Sequence, residues 1–159
     1  MFESTPPYDA RAVANTLLDI ALRHGLTFDL LKLEMLVYIS HGWYLCLIGP
    51  PLIADPIEAW THGPIIRCIH DEQRFDVAWY LTLNHRTQLL EVPVTKASDR
   101  LFLESVWVRY DELTGAELAA LVIQPGTPWH DARRTTSDCV VISNDALRAY
   151  YASLAIAAR

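Results

Sequence analysis

The chain has 159 residues, of which 52% are hydrophobic and 20% are charged, and its formal net charge is −6. This length and composition are typical of one folded domain with a sizeable core, and they exclude a disordered protein. The acidic balance and the presence of only two lysines oppose general binding to nucleic acid, because phosphate contacts need clustered cations. A basic protein partner fits this charge better.

The sequence offers no recognisable catalytic or metal-binding set. Cys46, Cys68 and Cys139 are widely spaced and form no Cys-x-x-Cys pair, which argues against a disulfide framework and a zinc site. The six histidines have no metal-ligand spacing, and a nucleophile elbow, a P-loop and a dinucleotide fingerprint are absent. We therefore expect no enzyme activity, no metal and no cofactor. The N-terminus carries no secretory signal, so we expect a cytoplasmic protein.

Two helices open the predicted fold. Asp9 is placed to cap a first helix that runs to His24 and ends at Gly25. The stretch LLKLEMLVYISHGWYLCLI, residues 30–48, then predicts a helix that is apolar on nearly every side and therefore buried, with Thr27 or Asp29 as its cap. The charged residues inside this stretch argue against a membrane span.

The middle of the chain is harder to interpret. A short extended segment is expected within residues 57–62, and Pro64 is predicted to start a third helix that ends near Phe75. Residues 77–96 fit either a hairpin or a loop. Pro93 falls in the second strand of that hairpin, where a proline is compatible only with an edge strand or a loop.

The C-terminal third predicts five further elements. Ser98 opens a helix, Thr114 and Glu117 form a capping box for the next helix, and Thr127 precedes a short helical turn. Residues 139–142 are expected to be extended, and Ser143 or Asn144 caps a last helix at about 144–158. The prediction is a mainly α, single compact domain over residues 1–159, built around a buried central helix, with minor short strands.

Glu34, Tyr38 and His41 lie at positions i, i+4 and i+7 of the predicted central helix, which places them along one ridge. We favour a narrow solvent-exposed stripe over a functional polar ridge, because charged groups are rarely buried unpaired. Trp43 and Trp60 are predicted as core anchors.

The run LKLEMLVYISHGWYL, followed by PLIADPIEAWTHGPII, resembles the signature of the Panacea domain, the SocA-like antitoxin family. A later Pro-Trp element, Pro128-Trp129, is also similar to the family pattern, so the resemblance spans residues 8 to about 134. Met35 and His62 depart from the family pattern, which commonly has Lys and an aromatic residue there. The matching signature positions are Leu33, Leu36, Tyr38, Gly42, Trp43, Pro51, Leu52, Glu58, Ala59, Trp60, Gly63, Pro64, Pro128 and Trp129.

The resemblance implies a non-enzymatic antitoxin that neutralises a cognate protein toxin by direct stoichiometric binding, and the acidic net charge favours a basic toxin. A proteolytic adaptor or general protein-interaction module is the alternative, and an unfamiliar enzyme is a third reading. We expect a monomer or weak dimer when the protein is alone. Glu34, His41, Glu58 and His62 are hypothesised to line one exposed patch that the toxin covers, and Trp129 is a further candidate contact.

Overall fold

The structure, a computed structural model, describes residues 3–26, 29–72, 92–135 and 140–159. This part of the chain is mainly helical, with one small sheet, as predicted. The helices are α1 (Ala10–Arg23), α2 (Leu30–Leu47), α3 (Arg67–Glu72), α4 (Ala97–Tyr110), α5 (Gly115–Val122), α6 (Pro128–Arg133) and α7 (Asn144–Ala157), and the strands are β1 (Glu58–Trp60), β2 (Gly63–Ile65) and β3 (Val140–Val141).

The helix α2 is the centre of the molecule, which confirms the prediction of a buried core helix. Helices α1, α4, α5 and α7 all contact it. Every residue from Lys32 to Leu45 is buried, so no face of that stretch meets solvent. Trp43 is 6% exposed and belongs to the main hydrophobic core, as expected of an anchor.

Side-chain caps mark where most of the helices start. The side chains of Asp9 and Asp29 accept backbone N–H groups at the starts of α1 and α2. Thr114 forms the predicted capping box with Glu117 at the start of α5. Thr127 and Ser143 cap α6 and α7 in the same way. These contacts satisfy N–H groups that have no partner within their own helix.

The sheet corrects the prediction for Pro64. The residues Gly63–Ile65 form β2, which pairs antiparallel with β1 so that Glu58 faces Ile65 and Trp60 faces Gly63. The strand order is β2-β1-β3, and Pro64 therefore lies on an edge strand, where its missing N–H is tolerated. The helix α3 starts three residues later than predicted, at Arg67.

Other boundaries differ slightly or cannot be compared. The helix α4 begins at Ala97, one residue before Ser98, and its N-cap Lys96 makes no side-chain capping bond. The expected end near Phe75, the hairpin or loop within 77–91, and Cys139 lie outside the described residues. None of the described helices combines the length and hydrophobicity needed to cross a membrane.

Candidate interaction site

Glu34 holds the junction between the small sheet and α3. Its side chain is 3% exposed, and its Oε1 accepts the backbone N–H of Ile66 at 2.9 Å. Its Oε2 lies 3.9 Å from Nδ1 of His70 on α3. The carboxylate thus satisfies a buried amide at the point where the chain leaves β2, which is a positioning role.

His41 connects α2 to two other segments. Its imidazole is 1% exposed and accepts the Ile53 N–H at Nδ1, at 3.4 Å, so the ring proton sits on Nε2 and donates to Oδ1 of Asn144, 2.9 Å away. Burial lowers the pKa of His41, and the nearby positive charge of Arg148 adds to this effect. The ring is therefore a neutral link between α2 and the start of α7.

The predicted solvent stripe is wrong. Tyr38 is 2% exposed, and, with Glu34 and His41, the whole ridge is buried. The ridge points at neighbouring elements rather than at water, because α2 is surrounded on all sides. Its polar groups are accommodated by backbone and side-chain partners, except for the Tyr38 hydroxyl, which has no hydrogen-bonding partner among the described residues.

The hairpin β1–β2 carries a compact arrangement of charged and aromatic side chains. The Glu58 carboxylate accepts the indole N–H of Trp60 at 2.7 Å and Nε of Arg67 at 2.7 Å. These bonds, first of all the one from Arg67, lower the pKa of Glu58. The Arg67 guanidinium lies 5.4 Å from the Trp60 ring centre, and the His70 ring approaches the same indole edge-on at 5.2 Å.

The short helix α6 supports the other side of this hairpin. Trp129 donates its indole N–H to the Trp60 carbonyl at 2.8 Å, and Arg133 donates to the Ala59 carbonyl at 3.3 Å. Trp60 and Trp129 are both half-buried, but only Trp129 packs against the hydrophobic core, so the prediction that Trp60 is a core anchor is wrong. Each indole also presents part of its surface to solvent.

His62 is exposed in the turn between β1 and β2. We call the outer face formed by Glu58, Trp60, His62, Arg67 and Trp129 the hairpin surface. The hypothesis that Glu34 and His41 share one exposed patch with Glu58 and His62 is wrong for the first two residues, because both are buried. The structure connects Glu58 and Trp129 through Trp60, which bonds to both. The His41 ring is instead hydrogen-bonded to the start of α7.

The sequence reasoning missed two residues that complete these contacts. The pattern of the sequence predicts Arg67 inside the helix that starts at Pro64 and gives it no role, although it pairs with Glu58 nine positions earlier. Recognising that pair requires knowing that residues 58–65 form a hairpin. Asn144 was considered only as a helix cap, and its bond to His41 spans 103 positions in sequence, a contact for which no local pattern exists.

Three potential metal ligands, Asp9, Asp55 and Cys68, offer ligand atoms that lie within 4.8 Å of one another. Their groups already have protein partners: Asp9 pairs with Arg11 at 2.7 Å, and Asp55 accepts the Ala10 N–H at 2.8 Å. Burial, followed by the charge of Asp55, raises the pKa of the Cys68 thiol, which keeps it protonated. This arrangement caps the start of α1, and a protonated thiol is a poor metal ligand.

Comparison with known proteins gives two matches. The family model described as antitoxin SocA-like, Panacea domain, matches residues 33–130, which is more than half of the chain and includes the whole hairpin surface. The curated protein "Antitoxin SocA" of Caulobacter vibrioides (strain NA1000 / CB15N) is 46% identical over 57 residues, covering 36% of this chain and 30% of that relative. The match therefore spans less than a third of the relative's length. No solved structure matches the chain significantly.

Proposed function

Because the chain belongs to the SocA-like, Panacea-domain antitoxin family, we propose that it neutralises a cognate protein toxin by direct, stoichiometric binding and without catalysis. The family match supports the antitoxin role, and the hairpin surface supports the direct contact. The chain itself is taken to be a monomer or weak dimer before the toxin binds. Light scattering over a dilution series tests that state, and a stable higher assembly would contradict it.

The observation that carries this proposal is the pair of tryptophans on the hairpin surface. Tryptophan is enriched among residues that dominate binding energy, in pockets that a partner desolvates. Trp60 and Trp129 are held in place by bonds to Glu58 and to the backbone, so binding would order few additional rotamers. A partly exposed and pre-organised aromatic pair is a suitable anchor for another protein.

Charged groups around this pair provide specificity. Arg67 has a side chain that is 51% exposed and remains paired with Glu58, which itself is mostly covered. A partner that approaches Trp60 must accommodate this ion pair, and mismatched charges across an interface are unfavourable. Glu58, His62 and Trp129 are therefore proposed as contacts, while Glu34 and His41 position the hairpin and α7 from within.

The test uses the product of the reading frame adjacent to this one as the candidate toxin. His62→Ala removes an exposed side chain at the tip of the hairpin, and we expect it to keep the melting curve while lowering affinity by about 1–3 kcal/mol, as for a central polar contact. The matched control is His24→Ala, which removes an exposed histidine beside Trp107 of α4. It should bind as the parent does.

Calorimetric titration gives the stoichiometry, and growth on co-expression gives the cellular result. Rescue of growth without any complex between the purified proteins would refute direct neutralisation. A fall in toxin abundance when both are expressed would instead indicate a proteolytic adaptor. If both histidine variants bind and rescue equally well, the toxin contacts a different face of the molecule.

A further inference from the structure

The strand β3 forms one outer edge of the small sheet, because the strand order is β2-β1-β3. It pairs antiparallel with β1, and Val141 lies opposite Glu58. The N–H of Ile142 donates to the carbonyl of Ile57 at 2.8 Å, so these two residues form a hydrogen-bonded pair. Bonded and non-bonded pairs alternate along an antiparallel ladder. Val141 is therefore in a non-bonded pair, and its N–H and C=O point away from β1.

These two backbone groups of Val141 have no hydrogen-bonding partner among the described residues. Ser143, two positions later, still has extended dihedral angles (φ −71°, ψ 148°), so its N–H points in the same direction. That N–H also has no partner in the described part of the chain. Both residues are exposed, Val141 by 55%. The edge thus presents a row of donor, acceptor and donor groups, with which an extended chain can pair.

The opposite edge of the sheet, formed by β2, is closed. Because Glu58 directs its backbone groups towards β2, the neighbouring pair of Ala59 and Pro64 is non-bonded. Pro64 therefore faces outward, where it has no N–H to donate. The next outward donor on this edge, the N–H of Ile66, is taken by the Glu34 carboxylate at 2.9 Å. Folded proteins protect sheet edges from other chains by such means, and β3 lacks this protection within the described residues.

The exposed side chain at the open edge lies on the same face as the hairpin surface. Directly opposite residues of a sheet project to one face, so the Val141 side chain lies beside Glu58, and Trp60 follows two positions along β1. The helix α6, which carries Trp129, contacts both β1 and β3. A strand added to β3 would therefore place every second side chain on the face that carries Glu58 and Trp60.

We propose that the toxin adds an extended segment of its own chain to β3, as a fourth strand of the sheet, with an apolar β-branched or aromatic residue beside Val141. Backbone bonds to Val141 and Ser143 provide the pairing, and the exposed Val141 side chain selects an apolar neighbour. This inference rests on the proposed function, and it specifies how the toxin docks. The edge at residues 140–143 lies outside residues 33–130, which match the family model.

The first test measures backbone amide exchange by NMR in the full chain, alone and with the product of the adjacent reading frame. In the free protein, the Ile142 N–H should exchange slowly because it is bonded to Ile57, whereas the Val141 N–H should exchange quickly. In the complex, exchange at Val141 should slow by about tenfold or more. Ile142 is the internal control, since its N–H points into the sheet in both states.

The second test is Val141→Pro, which removes the outward N–H and leaves the bond from Ile142 to β1 in place. We expect toxin affinity to fall by about 10- to 100-fold, as for a lost hydrogen bond that leaves a buried partner unsatisfied. Val141→Thr is the matched control, because it keeps both the N–H and the branched shape. It should bind within about threefold of the parent, as expected for an exposed substitution.

Absence of any complex with the parent would refute direct neutralisation, and this inference with it. The docking mode alone would be overturned by a complex in which exchange at Val141 is unchanged, or by a folded Val141→Pro variant that binds as tightly as Val141→Thr. Protection of Val141 that rises with protein concentration without toxin, together with a dimer in light scattering, would overturn it by assigning the edge to a second copy. If Val141→Pro fails to fold, amide exchange in the parent decides.

Discussion

Gly42 lets two helices approach closely. Its position in the middle of α2 faces the ring of Tyr151 on α7, and a Cβ atom there would overlap that ring. Glycine within a helix normally lowers stability relative to alanine by about 0.5–1 kcal/mol, because the unfolded chain is more flexible. The close contact with Tyr151 reverses this preference at position 42 and gives a physical reason for the glycine in the signature.

Gly42→Ala should therefore destabilise the protein, by about 1–3 kcal/mol, because overpacking at a tight contact forces side chains or backbone to move. Urea unfolding followed by circular dichroism measures the change. Leu47→Ala, at a 60% exposed position near the end of the same helix, should stay within about 0.5 kcal/mol of the parent. A gain in stability for Gly42→Ala would show that α7 packs less closely than described.

His41 makes the stability of the fold depend on pH. Its pKa in the folded protein is lowered from the ordinary value of 6.5, mainly by burial, so the unfolded chain binds a proton more readily. The stabilising contribution is present above pH 6.5 and is lost as the pH falls below it. We expect the free energy of unfolding to decrease from pH 7 to pH 5, with His41 contributing at most about 1.4 kcal/mol per pH unit.

The measurement compares urea unfolding at several pH values for the parent, His41→Gln and His62→Ala. His41→Gln should show a shallower loss of stability on acidification, since the titrating ring is gone. His62→Ala removes an exposed histidine instead and controls for the change in the number of histidines. Identical slopes for the parent and His41→Gln would mean that other groups account for the acid sensitivity.

Among the elements, α5 has the clearest local signal in the sequence, a capping box that sets its first turn. Thr114 accepts the Glu117 N–H, and the Glu117 side chain accepts the Thr114 N–H in return. The next residue, Gly115, lies so close to Asp29 and Lys32 that the start of α5 is fitted to the start of α2. The cap thus fixes the first turn of a helix where it meets the core.

Thr114→Ala should lower the free energy of unfolding by about 1 kcal/mol, the usual effect of losing an N-cap side chain. Thr61→Ala, in the exposed turn of the hairpin, makes the same chemical change outside a helix cap and should have little effect. Thermal and urea unfolding of both variants provide the comparison. Equal effects would argue that the Thr114 side chain contributes no specific capping energy.

These elements also indicate what the sequence can reveal. The caps at Asp9, Thr114 and Thr127 were predictable because each involves residues within three positions of one another. The strand β2 was not, because Gly63-Pro64 fits a turn before a helix equally well until its pairing with β1 is known. Strand pairing and the bond from Ile66 to Glu34 are tertiary contacts, and they override the local preference of Pro64 for a first helical turn.

The candidate site was predictable to a similar degree. The spacing of Glu34, Tyr38 and His41 correctly placed them on one ridge of α2. Their burial depends on the sheet, on the Ile53 segment and on α7, which surround that ridge from distant parts of the chain. The sequence predicts an exposed turn from Glu58 to Pro64 but not the hairpin: His62 is exposed in the turn, whereas Glu58 lies in β1 with a side chain that is only 12% exposed.

At the scale of the whole molecule, the helix α2 connects three regions of the fold. Glu34 supports the hairpin, Tyr38 lines a cavity that α5 and α7 also border, and His41 binds the start of α7, so the ridge contacts three regions in turn. The buried ridge thus holds distant segments of the chain together, and the side chains proposed for partner contact lie outside it.

The net charge of −6 belongs to the molecule as a whole and should influence the rate of toxin binding more than the lifetime of the complex. Long-range attraction speeds encounter with a basic partner, and salt screens it over about 8–10 Å at ordinary ionic strength. The contacts proposed for the hairpin surface, by contrast, act at short range and should mainly affect dissociation. For a basic candidate toxin, we expect the association rate constant to fall about tenfold or more between 50 and 500 mM NaCl, with little change in the dissociation rate constant.

Stopped-flow fluorescence or surface plasmon resonance separates the two rate constants. His62→Ala should show the opposite pattern, because it leaves most of the long-range field intact and removes a local contact: its dissociation should be faster and its association nearly unchanged. His24→Ala should match the parent in both constants. An association rate that does not respond to salt, measured with a toxin of confirmed basic charge, would show that the acidic surface plays no part in encounter.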